Sequence, residues 1–343
     1  MGPIPDAVLA RWPRTAAGTV RAFGTGLINK TFLVETAEGE RAIFQRLHPV
    51  FAGSVNADID AVTRHLAAKG LLTTRVIPTV EGALFVDDPI DGRPWRALTF
   101  VDGLSVDRVD SPARAHAGAA LVARFHGAVA DLAYDYRHVR AGVHDTRKHL
   151  AVLERALVEH KAHRLFSSAE PLAHAILAAG ARLPDLSSLP LRHCHGDLKI
   201  SNVLFDAAGA GICLVDLDTL GRMPWPFEMG DALRSWTNPA GEDVAAAHVD
   251  VDIFTAAVQG YGRGTAGADE HDALVDGFFT ICTELAARFL ADALNESYFG
   301  WNEARYATRG DHNLVRARGQ WALAESVDVK RAELARIARA ARA

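Results

Sequence analysis

Two polar segments in the second half of the chain have the residue types that phosphoryl transfer requires. The segments are HGDLKISN at residues 195–202 and ICLVDLDT at residues 212–219. Transfer of a phosphoryl group to an alcohol needs a carboxylate that orients the hydroxyl and accepts its proton, and separate oxygen ligands for Mg²⁺ on the phosphates. Asp197 in the first segment is the predicted base. Together the segments predict an active site that phosphorylates a hydroxyl group with ATP as co-substrate.

The predicted Mg²⁺ ligands come one from each segment. Asn202 follows Asp197 by five residues, and Asp216 ends the apolar run ICLV. Lys199 is predicted to contact the transferring phosphate as a point charge. A turn at HGD and a strand-end cap are the plain structural alternatives for the two segments, and the presence of both at this spacing favours the catalytic interpretation. Asp218 lies two residues after Asp216, where contact with metal or substrate and a structural hydrogen bond are both open.

Other metal and thiol chemistry has little support. Cys194, Cys213 and Cys282 are far apart and outside metal-ligand spacing, so we expect reduced cysteines that pack in the interior. His193 and His195 form an HxH pair, but no cysteine or carboxylate at a usual interval completes a zinc site.

The composition excludes several classes of protein. The 343 residues include 37 Lys and Arg against 42 Asp and Glu, a net charge of −5, without the long basic run that binds nucleic acid. No apolar stretch approaches the roughly 18 residues of a membrane span, and the N-terminus has no signal-like apolar region. We therefore expect a cytoplasmic protein without nucleic-acid or membrane partners, and leave monomer and homodimer open. The length predicts two lobes.

The elements around these segments predict an α+β fold. Strands are expected at residues 19–23, 31–36, 41–47 and 95–101 from their β-branched and aromatic residues. One helix, with Asn56 as its cap and Gly70 at its end, interrupts these strands. Beyond Gly103 the apolar spacing becomes helical, with Ser111-Pro112 as a helix start. The predicted domains are residues 1–102, a small β-rich lobe that covers the nucleotide and has one helix, and residues 103–343, a large helical lobe with the catalytic loop, metal site and acceptor pocket.

The motifs resemble those of the aminoglycoside phosphotransferase and choline kinase superfamily over nearly the whole chain. The most similar branch is that of the N-acetylhexosamine 1-kinases, with segments like FGTGLINKTFLV, HGDLKISNVLF, LVDLDTLGRMPW and HNLVRAR. The resemblance implies a bilobal protein-kinase-like fold and ATP-dependent phosphorylation of the anomeric hydroxyl of an amino sugar. The chain has HGD where the branch often has HND, and Glu228-Met229-Gly230-Asp231 where Tyr-Asp-Phe-Gly-Asp is more usual.

The resemblance also implies a nucleotide site beneath the first hairpin. There the backbone N–H groups of a glycine turn would cover the phosphates; without the resemblance, the same residues would be interpreted as a plain hairpin turn. The residues assigned to this turn are Gly24, Gly26, Asn29 and Thr31.

The usual lysine of the third strand is missing from the segment IFQR. Arg46 is therefore the predicted cation for the phosphates, with Gln45 on the opposite face of the strand. Asp58 or Asp60 could replace the usual acidic partner, or could be solvated carboxylates. Residues 95–103 would form the hinge whose backbone contacts adenine.

The predicted acceptor pocket involves Arg288, Asp292, Tyr298 and Arg316. Glu284, Arg288 and Asp292 recur at every fourth position along one edge of an apolar helix, which is typical of either a polar pocket or a surface ladder of ion pairs. The resemblance to the sugar kinases favours the pocket.

The helix that contains Asp231, Arg234 and Trp236 is expected to hold the catalytic loop.

Three hypotheses on function stay open. The first is a sugar 1-kinase. The second is a kinase of the same fold that acts on an aminoglycoside, choline or ethanolamine, or homoserine; the arginine-rich C-terminal region favours a neutral or acidic acceptor over a polycationic antibiotic or a quaternary amine. The third is a non-catalytic nucleotide-binding protein, against which the intact Asp197, Asn202 and Asp216 argue.

Overall fold

The computed structural model describes residues 3–16, 18–24, 28–138 and 144–342. A β-sheet occupies the first hundred residues and helices dominate the rest, as the sequence predicts. We call residues 3–99 the sheet part and residues 100–342 the helical part. Within the described residues, no helix is long and apolar enough to cross a membrane.

The sheet is antiparallel and has the order β1-β2-β3-β6-β4, with the short β5 also paired to β6. Its strands begin and end within two residues of the four predicted segments, and the two short strands β4 and β5 are additional. Two short helices precede the sheet. The bounds are α1 Asp6–Leu9, α2 Pro13–Ala16, β1 Thr19–Ala22, β2 Lys30–Glu35, β3 Arg41–Arg46, β4 Val76–Ile77, β5 Val86–Asp87 and β6 Pro94–Thr99.

The two faces of the sheet have different partners because side chains alternate along each strand. On the outer face, Ala42 and Phe44 of β3 pack with Ile4 and Trp12 of the N-terminal segment in one apolar cluster. The inner face includes Gln45, which lines a cleft between the sheet part and the helical part. Alternate residues of each strand therefore face the cleft, and the residues between them face the outer apolar cluster.

The helix of the sheet part, α3 (Val55–Ala68), connects β3 to β4. It ends before Gly70, whose φ of +79° is the left-handed conformation expected at a helix end. The prediction that Asn56 caps the helix is wrong: Asn56 lies inside the first turn and donates its amide to the Gly53 carbonyl at 3.0 Å.

The helical part is built around α10, which is buried on nearly all sides and contacts α5, α6, α7 and α11. The Ser111 hydroxyl caps α4 by accepting the N–H of Arg114 at 3.3 Å, and Pro112 is the first helical residue, as predicted. The bounds of the helices are α4 Pro112–Val129, α5 Thr146–Glu159, α6 Phe166–Gly180, α7 Trp225–Trp236, α8 Val251–Tyr261, α9 Ala268–Asp272, α10 Leu274–Asn295, α11 Arg309–Val329 and α12 Arg331–Arg342.

Two small antiparallel ribbons position the two polar segments. In one, β7 (Leu191–Cys194) pairs with β10 (Gly221–Pro224); in the other, β8 (Val203–Phe205) pairs with β9 (Gly211–Leu214). The first segment connects β7 to β8, and the second runs from β9 toward β10. Both segments therefore lie at the same end of the paired ribbons.

The connection between the two parts runs from Thr99 at the end of β6 to Pro112 at the start of α4. The domain boundary predicted at residues 102 and 103 falls within this connection and stays a prediction.

Candidate active site

The catalytic loop is the first polar segment, residues 195–202. It begins with a turn at Gly196 that only glycine can form. Its φ is +82°, and a Cβ there would lie 2.3 Å from the Thr219 carbonyl oxygen. The turn directs Asp197 into the cleft, where the Lys199 ammonium donates to its Oδ2 at 2.8 Å. The Asn202 amide donates to the backbone oxygen of Asp197 at 2.8 Å and to its Oδ2 at 3.2 Å.

Asp216 reaches the same place from the end of β9. Its backbone is left-handed, with φ 63° and ψ 57°, a conformation that is uncommon for a residue with a side chain and concentrates at functional sites. The Val215 N–H donates to the Asn202 carbonyl at 2.9 Å and joins the two segments. Lys199 Nζ lies 3.8 Å from Asp216 Oδ2. The structure thus brings together Asp197, Lys199, Asn202 and Asp216.

The charges of this cluster depend on one another. Burial alone would raise the pKa of Asp197, but Lys199 outweighs it and holds the pKa at about 2. Burial alone would lower the pKa of Lys199, but Asp197 and Asp216 raise it. Burial raises the pKa of Asp216 above its ordinary value in spite of Lys199. At neutral pH, Asp197 is therefore ionised and held by a protonated Lys199.

The donor set suits a hard divalent cation. The Asp216 carboxylate is 40% exposed toward the cleft. The amide nitrogen of Asn202 is used by Asp197, which leaves its oxygen as the ligand atom. Carboxylate and amide oxygens are the ligands that Mg²⁺ prefers, and a cation at this point would offset the cost of ionising Asp216, whose pKa is raised. The residues present therefore fit Mg²⁺.

Side chains of helix α7 hold the backbone of the catalytic loop. The Asp231 carboxylate accepts the Leu198 N–H at 2.8 Å, the Trp236 indole donates to the Leu198 carbonyl at 2.8 Å, and Arg234 donates to Asp231 at 2.8 Å. These contacts confirm that Asp231, Arg234 and Trp236 support the loop.

Glu228 is a further support that the sequence analysis missed. Its two carboxylate oxygens accept the N–H groups of His195 and Gly196 at 2.7 and 2.9 Å, and its side chain is fully buried. The signal was present in the sequence: Glu228 precedes Asp231 by three residues and lies on the same face of one helix.

The hairpin of β1 and β2 with its glycine turn, called the glycine hairpin below, lines one end of the cleft. Gly24, Asn29 and Thr31 line the cleft, and Gly24 has a φ of +76°. Gly26, the other predicted glycine, lies outside the described residues. Thr31 accepts the side-chain amide of Gln45 at 3.1 Å, so this part of the hairpin is fixed to β3.

The expectation that Arg46 faces the phosphates is wrong. Arg46 shares the outer face of β3 with Phe44 and pairs with Asp91, whereas Gln45 points to the cleft. The residue of this region that places a cation at the cleft is Arg96 of β6, which lies directly across from Gln45 and which the sequence analysis did not single out.

Neither proposed acidic partner lies at the phosphate side. Asp58 is buried and accepts the Tyr134 hydroxyl at 2.7 Å and the N–H of Arg137 at 2.8 Å. Asp60 pairs with Arg64 on the surface of α3. The first carboxylate joins α3 to the helical part, and the second is paired within α3 with its side chain 16% exposed.

At the other end of the cleft, Glu284 of α10 is a buried carboxylate surrounded by donors. It is 1% exposed, accepts the Thr146 hydroxyl at 2.7 Å, and lies 3.3 Å from His144 Nδ1 and 3.7 Å from Arg288. Burial alone would raise the pKa of Glu284, but His144 and then Arg288 hold it at about 2. The predicted charged edge of α10 is thus part of a pocket and not a surface ladder.

Arg288 and Tyr298 lie at this end of the cleft as predicted, with Tyr298 38% exposed. The Arg288 guanidinium lies over the ring of Phe299, 5.5 Å from its centroid. This places a cation and an aromatic ring beside the buried Glu284. The arrangement could contact a polar molecule bound next to Asp197.

Asp292 and Arg316 shape the pocket through other residues. The Asp292 carboxylate accepts the N–H groups of Ser297, Tyr298 and Phe299, and also the Asn313 amide at 2.9 Å. Its oxygens are occupied, so the predicted direct contact with the acceptor is replaced by support of the Tyr298 loop. Arg316 donates to Asp243 at 2.8 Å and to the Gly300 carbonyl at 2.9 Å, which fixes the end of the same loop.

The whole cleft has a volume of about 1300 Å³, and its lining includes the catalytic cluster, the glycine hairpin and the Glu284 region. Residues 19–270 match the family model described as the phosphotransferase enzyme family. The chain belongs to this phosphotransferase family. Its members are kinases with an alcohol group as acceptor, so the chain is a small-molecule kinase.

Individual relatives agree with the family and fold. Homoserine kinase of Burkholderia ambifaria is 28% identical over 280 residues, 75% of this chain and 76% of the relative. An aminoglycoside phosphotransferase from Alicyclobacillus acidocaldarius superposes with a TM-score of 0.64 at 17% identity, covering 97% and 98% of the two chains. A microcompartment-associated aminopropanol kinase gives a TM-score of 0.60 at 17% identity over 93% and 94%. The resemblance to this superfamily and the α+β fold are confirmed; its N-acetylhexosamine branch stays a prediction.

Proposed function

We propose that the protein transfers the γ-phosphate of ATP to a hydroxyl of a small molecule in a Mg²⁺-dependent reaction. The observation that supports this most directly is the convergence of Asp197, Lys199, Asn202 and Asp216 from two separated segments in one cleft. Asp197 orients the acceptor hydroxyl and accepts its proton as the phosphoryl group transfers.

The other members of the cluster serve the nucleotide. Asn202 and Asp216 hold Mg²⁺, which neutralises charge on the phosphates when it is bound. Lys199 exchanges part of its contact with Asp197 for the transferring phosphate, which frees the Asp197 carboxylate for the hydroxyl. The glycine hairpin covers the phosphates, and the backbone of the hinge, residues 95–103, contacts adenine.

For the acceptor, we propose an N-acetylhexosamine or a related sugar, phosphorylated at the anomeric hydroxyl. A sugar offers several hydroxyl groups and an apolar ring face, and such ligands need fixed polar partners beside aromatic side chains. Arg288, which is held beside the buried Glu284 carboxylate, and the partly exposed Tyr298 provide both at the end of the cleft away from the hairpin. The sequence resemblance to the sugar 1-kinases supports the same choice.

Homoserine is the second candidate acceptor. The observation in its favour is the 28% identity to homoserine kinases over three quarters of the chain. The pocket also offers the Arg288 guanidinium for the carboxylate of an amino acid.

The deciding experiment is ADP release with Mg²⁺ and ATP against N-acetylglucosamine, N-acetylgalactosamine, homoserine, choline and an aminoglycoside. We expect turnover with an N-acetylhexosamine and a sugar 1-phosphate product, assigned by phosphorus–proton coupling in NMR. The matched control is Asp197→Asn, which should release ADP about 100-fold or more slowly than the wild type with any acceptor. Turnover with homoserine alone, or a 6-phosphate product, would reject the sugar 1-kinase proposal; no turnover with any acceptor would favour the non-catalytic alternative.

A further inference from the structure

Arg96 of β6 is buried at the cleft with every N–H donor of its guanidinium engaged. Its side chain is 1% exposed. Nε and NH2 donate to the Gln45 side-chain oxygen at 2.9 and 2.6 Å. NH2 also donates to Asp218 Oδ2 at 3.0 Å, and NH1 donates to Asp218 Oδ1 and, at 3.4 Å, to Asn56 Oδ1. A guanidinium has five N–H donors, so Arg96 in this arrangement has none left for a phosphate.

Among the hydrogen-bond partners of Arg96 that the structure describes, Asp218 is the one that belongs to the helical part. Its side chain is 1% exposed. Besides the fork from Arg96, its Oδ2 accepts the amide of Asn29 in the glycine hairpin at 2.6 Å. Asn29 in turn accepts the N–H of His48 at 2.9 Å, so its amide is fixed at both ends. The hairpin and β6 thus meet at one carboxylate.

The position of Asp218 in the chain gives this contact a consequence for the metal site. It lies in the short 3-10 turn Leu217–Thr219, directly after the left-handed Asp216. A turn of three residues has few hydrogen bonds of its own, so its orientation depends on what holds Asp218. The groups that hold Asp218 are the side chains of Arg96 and Asn29, which both belong to the sheet part.

We infer that Arg96 and Asp218 are a positioning pair that fixes the metal ligand Asp216 and the glycine hairpin relative to each other. Arg96 is thereby assigned a role in aligning the Mg²⁺ ligands and not in contacting phosphate. The inference rests on the proposed metal role of Asp216.

The test is Asp218→Asn, which keeps the size of the side chain and removes its charge. We expect the Mg²⁺ concentration for half-maximal binding of a non-hydrolysable ATP analogue, measured by calorimetry, to rise by about tenfold or more, because a misplaced ligand weakens a site with few protein oxygens. In the turnover assay, kcat per folded molecule, with the folded fraction taken from circular dichroism, should fall while the KM of the acceptor stays within about twofold; partial unfolding alone would lower only the apparent kcat and leave kcat per folded molecule at the wild-type value. The matched control is Asp131→Asn, an exposed carboxylate of the helical part that pairs with Lys69 and His65 of the sheet part.

A second variant separates alignment from stability. Arg96→Met combined with Asp218→Leu removes both charges, and apolar replacement of a whole buried ion pair is often tolerated by the fold. We expect this double variant to be folded by circular dichroism and to show the same loss of Mg²⁺ affinity as Asp218→Asn. Wild-type Mg²⁺ dependence in either variant would overturn the inference.

Asp216→Ala distinguishes a failure of the positioning pair from a failure of the proposed function. If Asp216→Ala weakens Mg²⁺ binding and Asp218→Asn matches Asp131→Asn, only the positioning pair is wrong. If Asp216→Ala leaves Mg²⁺ binding unchanged, the proposed metal role and the inference that rests on it are both wrong.

Discussion

The Asp197 carboxylate is held as a weak base, with its pKa at about 2. A base of this strength takes little of the hydroxyl proton before the phosphoryl group moves, which agrees with a transition state that depends mainly on orientation and charge stabilisation. Because this pKa is depressed from 3.8, the contribution of ionised Asp197 to stability is present above 3.8 and lost as the pH falls toward 2. Its ionisation therefore does not appear in a pH–rate profile between pH 5 and 9.

Asp197→Asn tests the role of this carboxylate. We expect kcat to fall by about 100-fold or more, because the amide cannot accept the proton, while the amide keeps the size of the side chain. Steady-state kinetics measures the loss, and calorimetry with Mg²⁺ and a non-hydrolysable ATP analogue checks that nucleotide binding stays near wild type. Retention of more than about a tenth of kcat would remove Asp197 from the role.

Arg288 permits a separate prediction about the acceptor. Arg288→Ala should raise the KM for the acceptor by about tenfold or more, because one charge-assisted hydrogen bond contributes about 1.5–3 kcal/mol. The apparent KM for ATP should not change, since Arg288 lies at the end of the cleft away from the hairpin. Arg309→Ala is the control, an arginine that donates to the Glu296 carbonyl at 3.2 Å outside the lining of the cleft. A parallel rise in both KM values would exclude a specific acceptor contact.

At the scale of elements, α7 determines the geometry of the catalytic loop. Glu228, Asp231 and Ser235 recur on one face of this helix, and each accepts a backbone N–H from the loop. The loop itself has no regular ladder of hydrogen bonds, so its backbone groups are satisfied by these side chains. We therefore expect the loss of one acceptor to affect both the stability of the protein and the direction of Asp197.

Glu228→Gln replaces one of two oxygens by an NH₂ group that faces a backbone N–H. We expect a loss of about 1–3 kcal/mol in the free energy of unfolding, because one buried donor is left without an acceptor. Denaturant unfolding measures this loss, and kcat measured well below the transition temperature should also decrease. Full activity in a destabilised variant would show that Glu228 supports the fold without setting the geometry of Asp197.

The sequence predicted the elements better than their faces. The strands of the sheet were found because β-branched and aromatic residues are concentrated between turns, and α4 was found from Ser111-Pro112. Arg46 was assigned to the wrong face, since alternation defines two faces but not which one the N-terminal helices cover. Asp292 is satisfied by the N–H groups of a loop, which residue types do not reveal. The Arg96–Asp218 contact joins residues 122 positions apart, and no local pattern indicates it.

In the whole molecule, polar contacts connect the sheet part and the helical part both inside the cleft and outside it. Asp58 of α3 accepts the N–H groups of Arg137 and His138, and the exposed Asp131 pairs with Lys69. Inside the cleft, the buried Arg96–Asp218 pair makes the corresponding connection next to the metal ligands. A nucleotide bound between the hairpin and the catalytic loop would therefore contact two parts that are already joined on both sides of it.

This arrangement predicts that Mg²⁺ and nucleotide together raise the thermal stability of the protein. A ligand that binds only the folded state adds about 2.7 kcal/mol at 100 times its Kd, so a non-hydrolysable ATP analogue with Mg²⁺ should raise Tm by several degrees. Chelation of Mg²⁺ should remove most of the increase, because the phosphates then lose their link to Asn202 and Asp216. Asp216→Ala should behave with Mg²⁺ as the wild type does with chelator, since one of two protein ligands is gone. An equal increase in Tm with and without Mg²⁺, or in both proteins, would mean that the nucleotide binds without the proposed metal site.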